Sequence, residues 1–323
     1  MIIKTQIDSK YCKTATFAVF EKFNRNMAQH KSGFVNIIGR PNVGKSTLMN
    51  RLVGERMSII TNKPQTTRQR IIGIVNDEDY QIVFSDTPGV IENPAYKMQE
   101  SMNDFVKGAF EDADVMMFVT DMQEKYLDKH PLFEAIAQLD IPKFLLINKV
   151  DLVERIAVAK KIQWWNKRIL FDEIFPVSAL KGHNTDELIK YLIKYLPEGP
   201  PFYPKDQLTD KSERFFVQEI IREQILELYK QEIPYSCQAI VDRFKVDAKN
   251  NQIRIRATIY VNRKTQKSIL IGKEGSAIKR LGINARKKAE DFLQRKVHLD
   301  LNVKIKENWR DDDQWLKRFG YRN

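Results

Sequence analysis

Gly39–Ser46 reads GRPNVGKS, a complete match to the phosphate-loop pattern G-x-x-x-x-G-K-[ST]. It follows the short apolar run Phe34–Ile38, which predicts a buried strand, and it opens a helical stretch from Ser46 into Thr47. Strand, loop and helix in that order are the context the motif requires. Gly39 and Gly44 let the backbone N–H groups of Arg40, Pro41, Asn42 and Val43 and their neighbours curl around phosphate oxygens, proline excepted because it has no N–H. The helix N-terminus adds a favourable partial charge. Lys45 places a cation near the β- and γ-phosphates, and the Ser46 hydroxyl is the expected Mg²⁺ ligand.

Working outward, Gln81–Ser85, Val115–Thr120, Lys143–Ile147 and Phe175–Val177 repeat the strand signal, with helical stretches between them. That alternation predicts an α/β domain with a mostly parallel sheet covered on both faces. A magnesium site wants a carboxylate at the end of a second strand. Asp86 supplies it in the string Asp86-Thr87-Pro88-Gly89, where Gly89 offers a backbone N–H to a γ-phosphate. Asn148-Lys149-Val150-Asp151 follows the strand ending at Ile147. A carboxylate such as Asp151 accepts from guanine N1–H and N2–H₂, whereas adenine would leave it unpaired. Ser178, Ala179 and Leu180 lie just past the last strand, where a backbone amide reaches guanine O6. GTP and GDP are therefore the expected nucleotides.

Between the first helix and Asp86 lies SIITNKPQTTRQR, Ser58–Arg70, a polar stretch suited to ordering around Mg²⁺ and a γ-phosphate. Thr67 is the expected second hydroxyl ligand. Lys45, Thr67 and Gly89 are the residues expected to carry catalysis. Val90 stands where Ras-like proteins orient the attacking water with glutamine. Valine cannot do this, so slow intrinsic hydrolysis, stimulated by a partner or a monovalent cation, is expected.

Leu196–Pro204, LPEGPPFYP, reads as a linker, with four prolines and a glycine. A helix is predicted from Glu213, with Val217, Ile221, Ile225 and Leu228 at helical spacing, and Ile253–Val261 and Val297–Ile305 alternate as one-sided strands. Ile271–Gly275 reads IGKEG and leads into an amphipathic helix: the G-x-x-G signature of a KH domain, a small α+β fold whose loop clamps a nucleic-acid backbone. Ile271, Gly272, Lys273, Glu274, Gly275, Ser276, Lys279, Arg280 and Arg286 are the candidate RNA contacts. Charge agrees. From Lys245 onward there are 21 lysines and arginines against 9 aspartates and glutamates, a surplus equal to the whole chain's +12, while the preceding residues balance at 33 of each. Trp309, Trp315, Phe319 and Tyr321 in the tail are suited either to stacking on bases or to packing.

The chain has 323 residues, which predicts about two domains. Two cysteines far apart, Cys12 and Cys237, suggest neither a disulfide framework nor a zinc site, and a reducing cytoplasm is expected. No apolar run approaches the ~18 residues of a membrane span. Residues 1–31 show no strand–turn–helix pattern, and Met27 is the expected physiological start. The segmentation expected is an extension over 1–31, a GTPase domain over 32–197, a linker over 198–211, a KH domain over 212–310 and a tail over 311–323.

With GRPNVGKST, PQTTR, DTPG, NKVD, the SA pair, ERFFVQEIIREQI and LIGKEGSAIKRLGINAR in hand, the chain resembles the Era family of bacterial GTPases from about Met27 onward. The resemblance implies a P-loop GTPase domain joined to a KH domain of the second type, binding to the 3′ end of small-subunit ribosomal RNA and help in assembling that subunit. It also implies a cytoplasmic monomer with partial, peripheral association with the inner membrane, and makes Asn42 a candidate K⁺ ligand. The segment IENPAYKM after Val90 departs from the family pattern. A P-loop kinase and an RNA-binding protein with a non-hydrolysing nucleotide clamp are the competing readings.

Overall fold

The computed structural model describes residues 30–61, 63–126, 131–247 and 251–322. The expectation about the chain start therefore falls outside the described residues, except at His30 and Lys31. The first half is a six-stranded sheet in the order β2-β3-β1-β4-β5-β6, built from β1 (Lys31–Ile38), β2 (Ile71–Asn76), β3 (Tyr80–Asp86), β4 (Val115–Asp121), β5 (Lys143–Asn148) and β6 (Glu173–Pro176). Only β2 runs antiparallel. All seven residues of β4 are buried, as a central parallel strand covered on both faces requires. The covering helices are α1 (Lys45–Val53), α2 (Lys97–Glu111), α3 (Pro131–Ala137), α4 (Arg155–Asn166) and α5 (Thr185–Tyr195). One apolar layer gathers Leu48, Ile82, Phe84, Leu146 and Leu188; the other gathers Phe118, Ile136, Leu145 and Trp165.

The Pro-rich segment after Leu196 is laid along the edge of this sheet. Gln81 Oε1 accepts from the backbone N–H of Phe202 and Tyr203, Ile74 N donates to Leu208 O at 2.8 Å, and Thr209 Oγ1 donates to Ile72 O at 2.6 Å. These contacts cover part of the β2 edge, whose N–H and C=O groups would otherwise template unwanted pairing.

The second half comprises α6 (Glu213–Leu228), β7 (Cys237–Asp247), β8 (Gln252–Val261), α7 (Lys264–Ile271), α8 (Ser276–Leu293) and β9 (Lys296–Ile305). The three strands form one sheet in chain order, with β7 antiparallel and β9 parallel to β8. Ile253, Ile255, Ala257, Ile259 and Val261 all face one apolar core with Ile221, Ile225, Leu281, Ala285 and Ala289. Alternation of side chains along β8 does this: odd-numbered residues point at the helices and even-numbered ones away. The strand β7 escapes a periodicity reading because Asp242 interrupts it with a bulge between Val241 and Arg243.

Three of the four tail rings are packed inside, and Trp315 is half-buried beside them. Trp309, Leu316, Phe319 and Tyr321 are buried with Tyr260 of β8 and with Met98 and Met102 of α2. Trp309 Nε1 donates to Ser236 O at 3.1 Å and Tyr321 Oη to Gln238 Oε1 at 2.8 Å. These two polar tips are thereby satisfied inside the protein, which removes base stacking as their role. The tail thus joins the helix α2 of one half to the sheet of the other, and a final helix α9 (Asp313–Arg318) carries that contact.

Cys237 opens β7 in this buried region and donates to Ile233 O. Burial pushes its thiol from 9.0 up to about 12, which keeps the reactive thiolate scarce. In a Cys12→Ser background, the folded protein is expected to resist an aromatic disulfide reagent at about pH 8, with Cys237 reacting stoichiometrically once urea unfolds the chain. Rapid labelling without denaturant would contradict this burial.

Candidate nucleotide and nucleic-acid sites

The end of β1 delivers the phosphate loop and α1 begins at its last residues, as the strand–loop–helix order predicts. Asn42 (φ 66°) and Gly44 (φ 100°) turn the loop backbone left-handed, so its N–H groups face inward around a cleft. Lys45 is buried and donates to Gly39 O and Arg40 O, both at 3.0 Å. Burial pulls its ammonium down from 10.5 to about 8, against the opposing pull of Asp86 and Glu124. An incoming polyphosphate would restore the charge that burial penalises.

Three oxygens converge beside it. Ser46 Oγ donates to Asp86 Oδ2 at 2.7 Å and lies 2.9 Å from Thr67 Oγ1, which is itself 3.3 Å from Asp86 Oδ2. Asp86 Oδ1 is buried without any hydrogen-bond partner among the described residues. Burial raises the proton affinity of this carboxylate despite nearby Lys45. An all-oxygen set with an orphaned carboxylate oxygen fits a hard divalent cation, so Ser46, Thr67 and Asp86 are the residues that would hold Mg²⁺. Such an ion would neutralise phosphate charge.

Asn148 ties three loops into one wall. Its Nδ2 donates to Val43 O at 2.8 Å, and its Oδ1 accepts from Lys149 N and from Ala179 N at 3.0 Å. Lys149 Nζ reaches Asn42 O at 2.8 Å and Asp121 Oδ2 at 2.6 Å. Asp151, by contrast, is exposed at the cleft and makes no hydrogen bond or ion pair among the described residues, which leaves it available for a base. Ser178, Ala179 and Leu180 line the same end.

Pro41, Asn42, Gly44, Lys45, Ser46, Thr47, Thr67, Gly89, Asn148, Lys149 and Asp151 line the cleft together. Gly89 approaches so closely that a Cβ there would meet Pro41 at 2.6–2.8 Å. Arg40, Val43, Asp86, Thr87, Pro88, Val90 and Val150 lie behind or beside the lining. Thr87 Oγ1 donates to Ile37 O, and Val90 and Val150 pack against the Phe118 layer. Arg40 turns outward: it bonds Glu92 at 2.9 Å, lies 3.5 Å from Glu124 and stacks over Tyr126. Nothing in the local sequence marks Glu92, Glu124 or Tyr126 as its partners.

The polar segment 58–70 is held from the far side by the second domain. Arg68, 2 % exposed, donates to Cys237 O at 2.8 Å and Pro234 O at 2.9 Å. Lys63 Nζ donates to Leu226 O and Tyr229 O at the C-terminal end of α6, a placement that favours a cation. Arg222 of α6 donates to Thr66 O, and Arg56 pairs with Glu223. These partners lie about 160 residues apart in sequence, so no motif search could find them.

On the second domain, Gly272 ends α7 at φ 73° and Gly275 caps α8 at φ 76°. A Cβ at Gly272 would lie 2.6 Å from the Ala277 Cβ, so only glycine fits. Lys273, Glu274, Ser276, Lys279, Arg280 and Arg286 are exposed around the loop and along α8, while Ile271 packs into the core.

Family models match in both halves. Residues 34–149 match the family of 50S ribosome-binding GTPases, and residues 232–310 match the KH domain. GTPase Era of Staphylococcus haemolyticus is 44 % identical over 91 % of this chain and 98 % of its own length. This chain belongs to the Era family of GTPases. A chloroplastic Era-like GTPase of Oryza sativa is 43 % identical over 97 % of this chain and 75 % of its own length. Aquifex aeolicus Era bound to GDP and AlF₄⁻ superposes with a TM-score of 0.85 at 39 % identity, covering 91 % of this chain and 100 % of that one. An Era structure in complex with MgGDPNP and nucleotides 1506–1542 of 16S ribosomal RNA superposes with a TM-score of 0.83 at 38 % identity, with the same coverage. As an Era GTPase the chain binds and hydrolyses GTP, which disposes of the kinase and non-hydrolysing readings. Among the described residues no helix is long and apolar enough to cross a membrane.

Proposed function

We propose that this GTPase uses its nucleotide cycle to control binding of the 3′ end of small-subunit ribosomal RNA and so assists assembly of that subunit. The observation that carries the reading is the direct grip of the second domain on segment 58–70. Arg68 and Arg222 connect the candidate Mg²⁺ ligand Thr67 and its neighbour Thr66 to the domain bearing the G-x-x-G loop. The Era relative captured with 16S ribosomal RNA supports the choice of RNA. Within this reading Ser46, Thr67 and Asp86 ligate Mg²⁺, Asp151 reads guanine, and Lys273, Lys279, Arg280 and Arg286 meet the RNA backbone. The protein works as a cytoplasmic monomer that also visits the inner membrane surface. Crosslinking in cells followed by RNA sequencing should place reads at the 3′ end of small-subunit ribosomal RNA; reads scattered elsewhere would sink the proposal.

Val90 leaves the attacking water without a side chain to orient it, and Asn42 lines the cleft with a side chain that has no partner among the described residues. We infer that K⁺ bound at Asn42 assists hydrolysis. GTP turnover should be about tenfold faster in K⁺ than in Na⁺, with Asn42→Ala abolishing the difference. Equal rates in both salts would refute the K⁺ role.

A further inference from the structure

The sheet of the second domain has two faces, and the apolar core accounts for only one. Of the other, the half around Thr258 and Tyr260 is covered by the tail and by Asp242, which accepts from Thr258 Oγ1 at 2.6 Å. No described residue covers the remaining half, which forms a depression of about 550 Å³ lined by Arg243, Lys245, Arg254, Arg256, His298 and Asp300, with Asp247 at its rim. Strand register explains the concentration. Lys245, Arg254 and His298 stand in one cross-strand row; Arg243, Arg256 and Asp300 stand in the next. The bulge between Val241 and Arg243 resets β7 so that Arg243 and Lys245 share this face with Arg254 and Arg256.

Two pairs of like charges therefore sit directly opposite each other, an arrangement that costs stability in an isolated sheet. Asp300 relieves one member, bonding Arg256 at 3.1 Å. Arg243, Lys245 and Arg254 have no ion-pair partner among the described residues. Rows are about 6.7 Å apart along the strands and neighbours about 4.8 Å across them, close to the spacing of successive phosphates. Three of the four cations are arginines, the better fork for phosphate oxygens. No Phe, Tyr or Trp is among the described lining residues, so charge pairing with phosphates outweighs base stacking there, and Val246 is the one exposed aliphatic among them, too little to anchor in lipid.

We propose that this face is a second, sequence-independent contact for the RNA backbone, distinct from the G-x-x-G loop. The loop sits at the N-terminus of α8, whereas the arginine rows lie at the sheet end where β9 leaves the C-terminus of that helix, an 18-residue helix of about 27 Å. A strand of about four nucleotides fills the loop's groove alone. A longer RNA continues across the protein to the arginine face. The proposal rests on the RNA-binding reading.

The test compares two RNAs by fluorescence anisotropy across a salt series: a short single strand sized for the loop, and the same strand extended on both sides. The triple variant R243Q/K245Q/R254Q should bind the short RNA as the parent does and lose about tenfold or more on the extended RNA near 0.1 M salt. Its salt slope on that RNA should fall by about two. Gly275→Asp should weaken both. An unchanged rise in melting temperature on adding nucleotide and unchanged RNA-free GTP turnover show that the triple variant folds. Parent-like affinity and slope for the extended RNA overturn the proposal. So does a triple variant whose only loss is binding to vesicles containing phosphatidylglycerol. If the parent protein binds neither RNA, the RNA-binding reading itself fails and takes this contact with it.

Discussion

Asp86→Asn is expected to lower GTP turnover by about 10²–10³-fold while leaving the fold intact, as judged by circular dichroism and melting. Asparagine keeps the shape of the side chain and can still accept from Ser46 through its carbonyl. It loses the charge, and its amide cannot accept a metal ion where Asp86 Oδ1 now sits without a partner. The same variant should bind GDP with nearly equal affinity in Mg²⁺ and in EDTA, whereas the parent should bind more tightly with Mg²⁺. Full activity, or an undiminished response to Mg²⁺, would place the cation elsewhere. Because Thr67 shares Asp86 Oδ2, the variant should also loosen segment 58–70, detectable as faster hydrogen exchange there.

Asp151→Asn should weaken GTP by about 10³-fold and strengthen xanthosine triphosphate by a comparable factor. Guanine presents two donors to a carboxylate. An amide at that position can take only one of them and sets its own NH₂ against the other. Xanthine replaces the exocyclic amine by a carbonyl and so matches the amide. The swap is diagnostic because Asp151 has no other hydrogen bond or ion pair among the described residues, so the substitution disturbs nothing but the ligand. Asn148 would not give the same answer: it holds Val43, Lys149 and Ala179 together, and its replacement would dismantle the wall of the site. Retained GTP selectivity in Asp151→Asn would remove this residue from base recognition.

What the sequence disclosed follows the range of the forces involved. The phosphate loop, Asp86, the Asn148–Asp151 string and the G-x-x-G turn are short segments whose chemistry is local, and their residue types can be recognised without neighbours. Strands β1, β4, β5 and β8 were legible because continuous or alternating burial writes a period into the chain. β2 was not, since a six-residue antiparallel edge with a central glycine shows no clean period, and β7 was hidden by its bulge. The grip of Arg68, Lys63 and Arg222 was invisible: each donates to backbone carbonyls, which every residue possesses, so no partner side chain was available to recognise. The tail aromatics were readable as apolar, but their burial against Met98 and Met102 depends on where α2 stands in three dimensions.

The hydrogen bonds that fasten residues 199–209 along the first domain also set how far the two domains can part. A proline-rich connection suggests a leash, yet Gly199, Pro200, Phe202, Tyr203, Gln207, Leu208 and Thr209 are each bonded to that domain. The unattached stretch before α6 is Asp210–Ser212, which spans about 10 Å at full extension. Any rearrangement that keeps the edge contacts is therefore a pivot about those three residues. A wider swing needs the β2 edge stripped, and even the pivot must first break the grip on segment 58–70 and the buried seat of the tail on α2, so the second domain is a door on a hinge that is also latched.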